Sequence, residues 1–239
     1  MGERENIMNI ANNILKRSLQ NVYFLTGTAL AGKTTMAEAL AQKYGFINFH
    51  DNYNEENFKT FKSICDENYQ PQATKRDKEF NINDWDAYFD RSAEEILADR
   101  PEYGLNDEYV EFAIIELIKL SQNNKVIADV SAPIKLLVEI SDYNRIACML
   151  ASPELVTTIN YGSRNDHKEY LAWIMSLNEP EKKIAKQDEI SRISVEETYQ
   201  EVHKYNLFSI VRTTESTVEN TLKLLENHFN FCQNASIIK

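Results

Sequence analysis

Cysteine is scarce in this 239-residue chain, and its placement excludes two roles. Cys65, Cys148 and Cys232 are odd in number and far apart, which fits neither a disulfide framework nor the close spacing of metal ligands. A reducing compartment is the expectation. The four histidines, His50, His167, His203 and His228, show no spacing that suggests a metal site or a catalytic triad. No run approaches eighteen apolar residues, and the opening Met-Gly-Glu-Arg-Glu-Asn lacks the apolar core of a signal peptide. Asn6 stands where a myristoylation signal requires Ser or Thr. Excess positive charge is missing too. The formal net charge is −11, which argues against a general binder of nucleic acid or anionic membrane, since both rely on basic surface. Internal repeats and low-complexity tracts are absent. What remains is expected to be a soluble, cytoplasmic chain, 43% hydrophobic and long enough to bury a sizeable core as one large domain.

Against those absences one stretch stands out, Val-Tyr-Phe-Leu-Thr-Gly-Thr-Ala-Leu-Ala-Gly-Lys-Thr-Thr at residues 22–35. Val22 to Leu25 read as a buried strand, and Gly27, Gly32, Lys33 and Thr34 satisfy G-x-x-x-x-G-K-[ST], the pattern of a phosphate-binding loop. The chemistry demands these residue types. Consecutive backbone N–H groups from Thr28, Ala29, Leu30 and Ala31 onward must converge on one anion, which needs unusual dihedrals and close approach, so glycines bracket the loop. The helix that follows aims its unpaired N-terminal N–H groups and its dipole at the same anion. Lys33 adds a positive charge that can reach β- and γ-phosphates, and the Thr34 hydroxyl suits the shell of Mg²⁺. Thr35 completes the cofactor-binding run but reads as a bystander. A chance match in a chain of this length is expected on the order of one time in a hundred, with glycine at its average usage.

The rest of the chain arranges itself around that loop. Residues 5–19 pattern as a short amphipathic helix before the first strand. After the loop, Met36, Leu40 and Tyr44 repeat at helical spacing until Gly45 stops the helix. Phe46 to His50 reads as a second strand, and Asp51 follows it. Residues 52–106 hold 13 Asp/Glu against 7 Lys/Arg and few apolar runs, and are expected to be an inserted helical region with one helix over Trp85–Leu97. An apolar helix is predicted from Asp107 to about Leu120, then a buried strand Lys125–Val130. In that strand Asp129 follows the apolar or small residues Val126, Ile127 and Ala128, as a Mg²⁺-holding Walker B aspartate would. Helix 134–140, strand 145–150, a basic helical region over 153–205, strand 207–211 and a final helix complete the reading.

Several hydrolytic classes are disfavoured by missing residues. Thr74-Lys75-Arg76-Asp77 matches a guanine-reading string but precedes the Asp129 strand, and no Asp-x-x-Gly follows that strand. The position after Asp129, where motor and transporter ATPases place a glutamate, is Val130. The order of features resembles instead the superfamily of small-molecule and nucleotide kinases with a phosphate loop, over nearly the whole chain. That resemblance implies a three-layer α/β/α domain spanning 1–239 with a five-stranded parallel sheet, an acceptor-binding insertion at 52–106 and a lid at 153–205. It implies ATP and Mg²⁺ as cofactors, with Lys33 and Thr34 at the phosphates and metal and Asp129 in the metal's second shell. Asp51 matches the acid that orients or deprotonates an accepting hydroxyl. Arg164, with Lys168 one helical turn on, is the candidate lid cation. The implied activity is transfer of the γ-phosphate of ATP to a hydroxyl of a small metabolite or nucleoside. The alternatives are a nucleoside monophosphate kinase, for which Val130-Ser131-Ala132-Pro133 lacks the usual arginine, and a non-catalytic ATP-binding regulatory protein. The partners expected are a small-molecule acceptor and a nucleotide, with no nucleic acid and no membrane, and a homodimer stays open.

Overall fold

The computed structural model describes residues 10–50, 85–98, 107–155 and 165–231. Five short strands form one sheet: β1 (Val22–Gly27), β2 (Ile47–His50), β3 (Val126–Asp129), β4 (Ile146–Ala151) and β5 (Ser209–Arg212). Their order is β2-β3-β1-β4-β5, and every pairing is parallel. The sheet is therefore the middle layer of an α/β/α sandwich. Parallel strands joined by crossover helices are covered on both faces, so they read as near-continuous apolar runs. β1, β3 and β4 are buried along almost their whole length.

Alternate residues divide between two cores, as the period of a strand requires. Val22, Phe24, Val126, Ala128, Ile146, Cys148 and Leu150 face one core, where Leu117, Leu137 and Ile140 come from the helices Asp107–Ser121 and Ile134–Ile140. Tyr23, Leu25, Ile127, Ala147 and Met149 face the other, against Met36, Ala37 and Leu40 of the helix Lys33–Tyr44 and Leu225 of the helix Val218–His228. Gly45 ends the first of these two helices at φ 68°, with its N–H bonded to the Ala41 carbonyl. Cys148 lies wholly inside, where burial, and then the charge of Glu201, pushes its thiol up to about 12. It is no nucleophile. Among the described residues no helix is long and apolar enough to cross a membrane.

Two expectations need adjustment. The helix over Trp85–Leu97 is broken into Trp85–Asp90 and Ala93–Ala98. Ser92 causes the break: its hydroxyl accepts the Glu95 N–H at 3.1 Å while the Glu95 carboxylate accepts the Ser92 N–H at 2.9 Å, a reciprocal cap that starts a new helix. The fifth strand begins at Ser209 rather than Leu207, because Leu207 is a buried core residue ahead of the ladder, whose pairing starts at Cys148 with Ser209. The long helix Pro180–Lys204 has two attachments. Its C-terminal half places Val195 and Val202 in the cores beside the sheet, and near its N-terminal half Ile190 packs on Ala93 and Ile96.

Candidate functional site

β1 and β3 are neighbours, but the chain leaves β1 toward β2 and leaves β3 toward β4, on the other side of the sheet. Open α/β sheets bind ligands at such a switch, beyond the carboxyl ends of the strands. The glycine-bracketed loop and Asp129 both lie there. Gly27 closes β1 at φ 121°, so near β4 that a Cβ would stand 2.0 Å from the Met149 carbonyl oxygen. The Thr28 N–H bonds that same oxygen at 3.0 Å, and the Thr28 hydroxyl accepts the Ala151 N–H at 2.7 Å. These contacts lock the start of the loop to β4.

Leu30 at φ 62° and Gly32 at φ 86° then turn the backbone through the left-handed region, the kind of geometry that gathers N–H groups around an anion. Gly32 caps the helix Lys33–Tyr44 without a side-chain acceptor, and no acidic residue occupies the first turn. Its N-terminal N–H groups thus have no side-chain oxygen from the cap to bind, and the dipole favours an anion. Lys33 folds back over the loop, its ammonium donating to the Thr28 carbonyl at 2.8 Å and lying 3.5 Å from that of Gly27. Ala29 and Ala31 complete the run. Thr35 is exposed, and with Ala31, Gly32 and Arg212 it lines a small pocket facing Ser216, Thr217 and Thr221.

The Thr34 hydroxyl donates to Asp129 Oδ2 at 2.7 Å. Asp129 is 5% exposed. Burial alone pushes its carboxyl up, but His50, Thr34 and the Lys33 ammonium together outweigh it and hold the carboxyl below the ordinary carboxylate value. His50 comes from the end of β2, paired in register with Asp129, and its Nδ1 stands 3.5 Å from Asp129 Oδ2. A hydroxyl and an ionised carboxylate are hard oxygen donors that fit Mg²⁺, which takes few protein ligands and keeps water and substrate phosphates around it. Among the described residues no group of three or more His, Cys, Asp and Glu side chains gathers into a fuller metal cage.

The structure thus brings Lys33, Thr34 and Asp129 together with the loop 27–32. Asp51 and Arg164 lie outside the described residues, and Lys168 is an exposed residue of the helix Asn165–Ile174. Sequence reasoning missed two neighbours of the site. His50 has no motif spacing to single it out, although it ends the strand just before Asp51. Arg212 ends β5 and donates to the Leu30 carbonyl at 2.7 Å, bracing the loop from the side opposite Asp129. The signal for both was their place, a polar residue at the carboxyl end of a strand, here the two edge strands of the sheet.

No family model and no curated protein matches this chain. Eighteen chains of solved structures match. One is a shikimate kinase from Bacteroides thetaiotaomicron, 14% identical, covering 87% of this chain and 98% of that one at a TM-score of 0.44. So distant a likeness carries no argument about what this chain does.

Proposed function

We propose that this chain is a Mg²⁺-dependent phosphotransferase that moves the γ-phosphate of ATP to a hydroxyl of a small metabolite or nucleoside. One observation carries the reading: the phosphate loop, the uncapped helix start and the Thr34–Asp129 pair meet at the switch point of a parallel sheet. That combination is suited to holding a nucleoside triphosphate with its cation.

Each residue has a task in this reading. The backbone N–H groups of 28–34 bind phosphate oxygens. Lys33 exchanges the Thr28 and Gly27 carbonyls for the more strongly charged phosphates. Thr34 directly, and Asp129 through water, would hold the cation, which when bound neutralises charge on the phosphate oxygens. Asp51, next in the chain after His50, orients the acceptor hydroxyl and takes its proton. Residues 52–106 shape the acceptor site. Arg164, from the lid region 153–205, balances charge on the group in flight. Phosphoryl transfer asks mainly for alignment and charge neutralisation, so this set suffices. The absence of a glutamate after Asp129 favours transfer over hydrolysis.

The test is ADP release from Mg·ATP by the purified chain, with and without pooled hydroxyl-bearing metabolites, nucleosides and nucleotides. Acceptor-dependent release is expected, and Lys33→Ala should lower it by about a hundredfold or more, the scale of losing one preorganised charge-stabilising group. Acceleration by nucleoside monophosphates alone would move the acceptor class to those nucleotides. ATP binding without turnover on any pool would instead make the chain a nucleotide-dependent switch.

A further inference from the structure

We propose that Arg212 is a positioning residue for the phosphate loop: its guanidinium holds the Leu30 carbonyl outward, which turns the Ala31 N–H inward to bind a phosphate oxygen. The inference rests on the phosphotransferase reading and assigns to it a residue from the far edge of the sheet.

Reach comes first. In the order β3-β1-β4-β5, Arg212 ends a strand two places from the one that leads into the loop, a separation of about 10 Å at the spacing of neighbouring strands. Its main chain is fixed independently of the loop: it pairs with Ala151 in the ladder, and its carbonyl accepts the Ser152 N–H at 2.9 Å. From there only a long side chain crosses β4. That of Arg212 does, and Nη1 donates to the Leu30 carbonyl at 2.7 Å, a bond that the charge of the donor strengthens.

The bond falls where the loop needs it. Leu30 sits at φ 62°, a left-handed conformation that is unfavourable for leucine and persists only where surrounding contacts hold it. A trans peptide is planar, so its C=O and N–H point in opposite directions. With the Leu30 carbonyl drawn to the guanidinium, the Ala31 N–H points the other way. Ala31 is only 1% exposed, and among the described residues no oxygen accepts its N–H. A buried donor without a partner is costly, and a phosphate oxygen held in the loop supplies the partner. Fixing this peptide before the anion arrives also spares the anion the cost of ordering it.

The experiment is calorimetric titration of the full chain with Mg·ATP and with Mg·tripolyphosphate, joined to amide ¹H–¹⁵N spectra of the loop at saturation. In the wild type the Ala31 amide should move downfield with either ligand, and an Ala31 amide that stays in place overturns the proposal without any variant. Arg212→Met keeps the apolar stem and removes the donor. It should bind both ligands about tenfold more weakly, the scale of one charge-assisted hydrogen bond. At saturation its Ala31 amide should not move, while those of Lys33 and Thr34 still do. Arg212→Lys restores a donor and should recover part of the affinity together with the Ala31 shift. If Arg212→Met weakens ATP but not tripolyphosphate, the guanidinium serves the nucleoside rather than the loop. If it weakens both and the Ala31 amide still moves, the guanidinium acts by charge alone. Either result overturns the proposal, as does wild-type affinity in Arg212→Met. A wild type that binds neither ligand removes the phosphotransferase reading, and this inference with it.

Discussion

Gly27 and Gly45 both sit at positive φ, yet the structure gives them different duties. A Cβ on Gly27 would stand 2.0 Å from the Met149 carbonyl oxygen, whereas one on Gly45 meets nothing within 4 Å. Gly45→Ala should therefore cost only the left-handed strain of an L-residue, about 1–2 kcal/mol. Gly27→Ala must also push β1 and β4 apart at the root of the loop, and should cost about 4 kcal/mol or more, the upper end of single-site effects. Urea unfolding midpoints of the two variants would decide it, and equal shifts would mean that β4 yields easily. The motif predicted a glycine here for close approach to phosphate. Its need for close approach to Met149 could not be read, because that oxygen belongs to a strand 122 residues later. The same blindness hid His50. Its partner Asp129 lies 79 positions away, and only the β2–β3 register joins them.

β1, β3 and β4 were legible as elements because burial on both faces leaves a plain apolar run, and a carboxylate at the end of one, as in Asp129, marks the ligand side of the sheet. The break at Ser92 was not legible. Tyr88, Phe89 and Ile96 keep helical spacing across it, so periodicity carries one helix through a site where local capping starts another. The reciprocal bonds between Ser92 and Glu95 are what the pattern could not show, although Ser-Ala-Glu-Glu contains the signature. Ser92→Ala removes the acceptor for the Glu95 N–H and should cost about 0.5–2 kcal/mol. The loss should be local. Hydrogen exchange at 93–98 should speed up while β1 and β3 keep their protection. Unchanged exchange there would show that packing of Ala93 and Ile96 on Ile190, not the cap, holds the helix.

At the scale of the whole molecule, the chain ties the region between β2 and β3 to the one between β4 and β5, a join that no short-range pattern announces. Asp86 pairs with Lys183 Nζ at 2.6 Å and accepts the Asn178 amide at 2.7 Å, while Trp85 meets Trp173 edge to face at 4.8 Å between ring centres. The two halves of the ion pair differ in exposure: the Asp86 side chain is 41% exposed and that of Lys183 only 7%. That asymmetry predicts unequal variants. Lys183→Met leaves a carboxylate that water can solvate, and its apolar stem still fills the space. Asp86→Ala leaves an ammonium buried with the Asn178 carbonyl as its neighbour, and stranding a buried charge is the expensive way to break a pair. Asp86→Ala should therefore lower the urea midpoint more than Lys183→Met at neutral pH. Acid should narrow the gap between Asp86→Ala and wild type. The Lys183 ammonium, and then the Asn178 amide, hold the Asp86 carboxyl below its ordinary value. Its contribution is thus complete above that value and fades as pH falls through the depressed one, where the wild type loses the same partner. If Lys183→Met proved the more damaging change at neutral pH, the join would depend on the lysine's contacts with its own helix and the Asn178 turn rather than on the pair across the two regions.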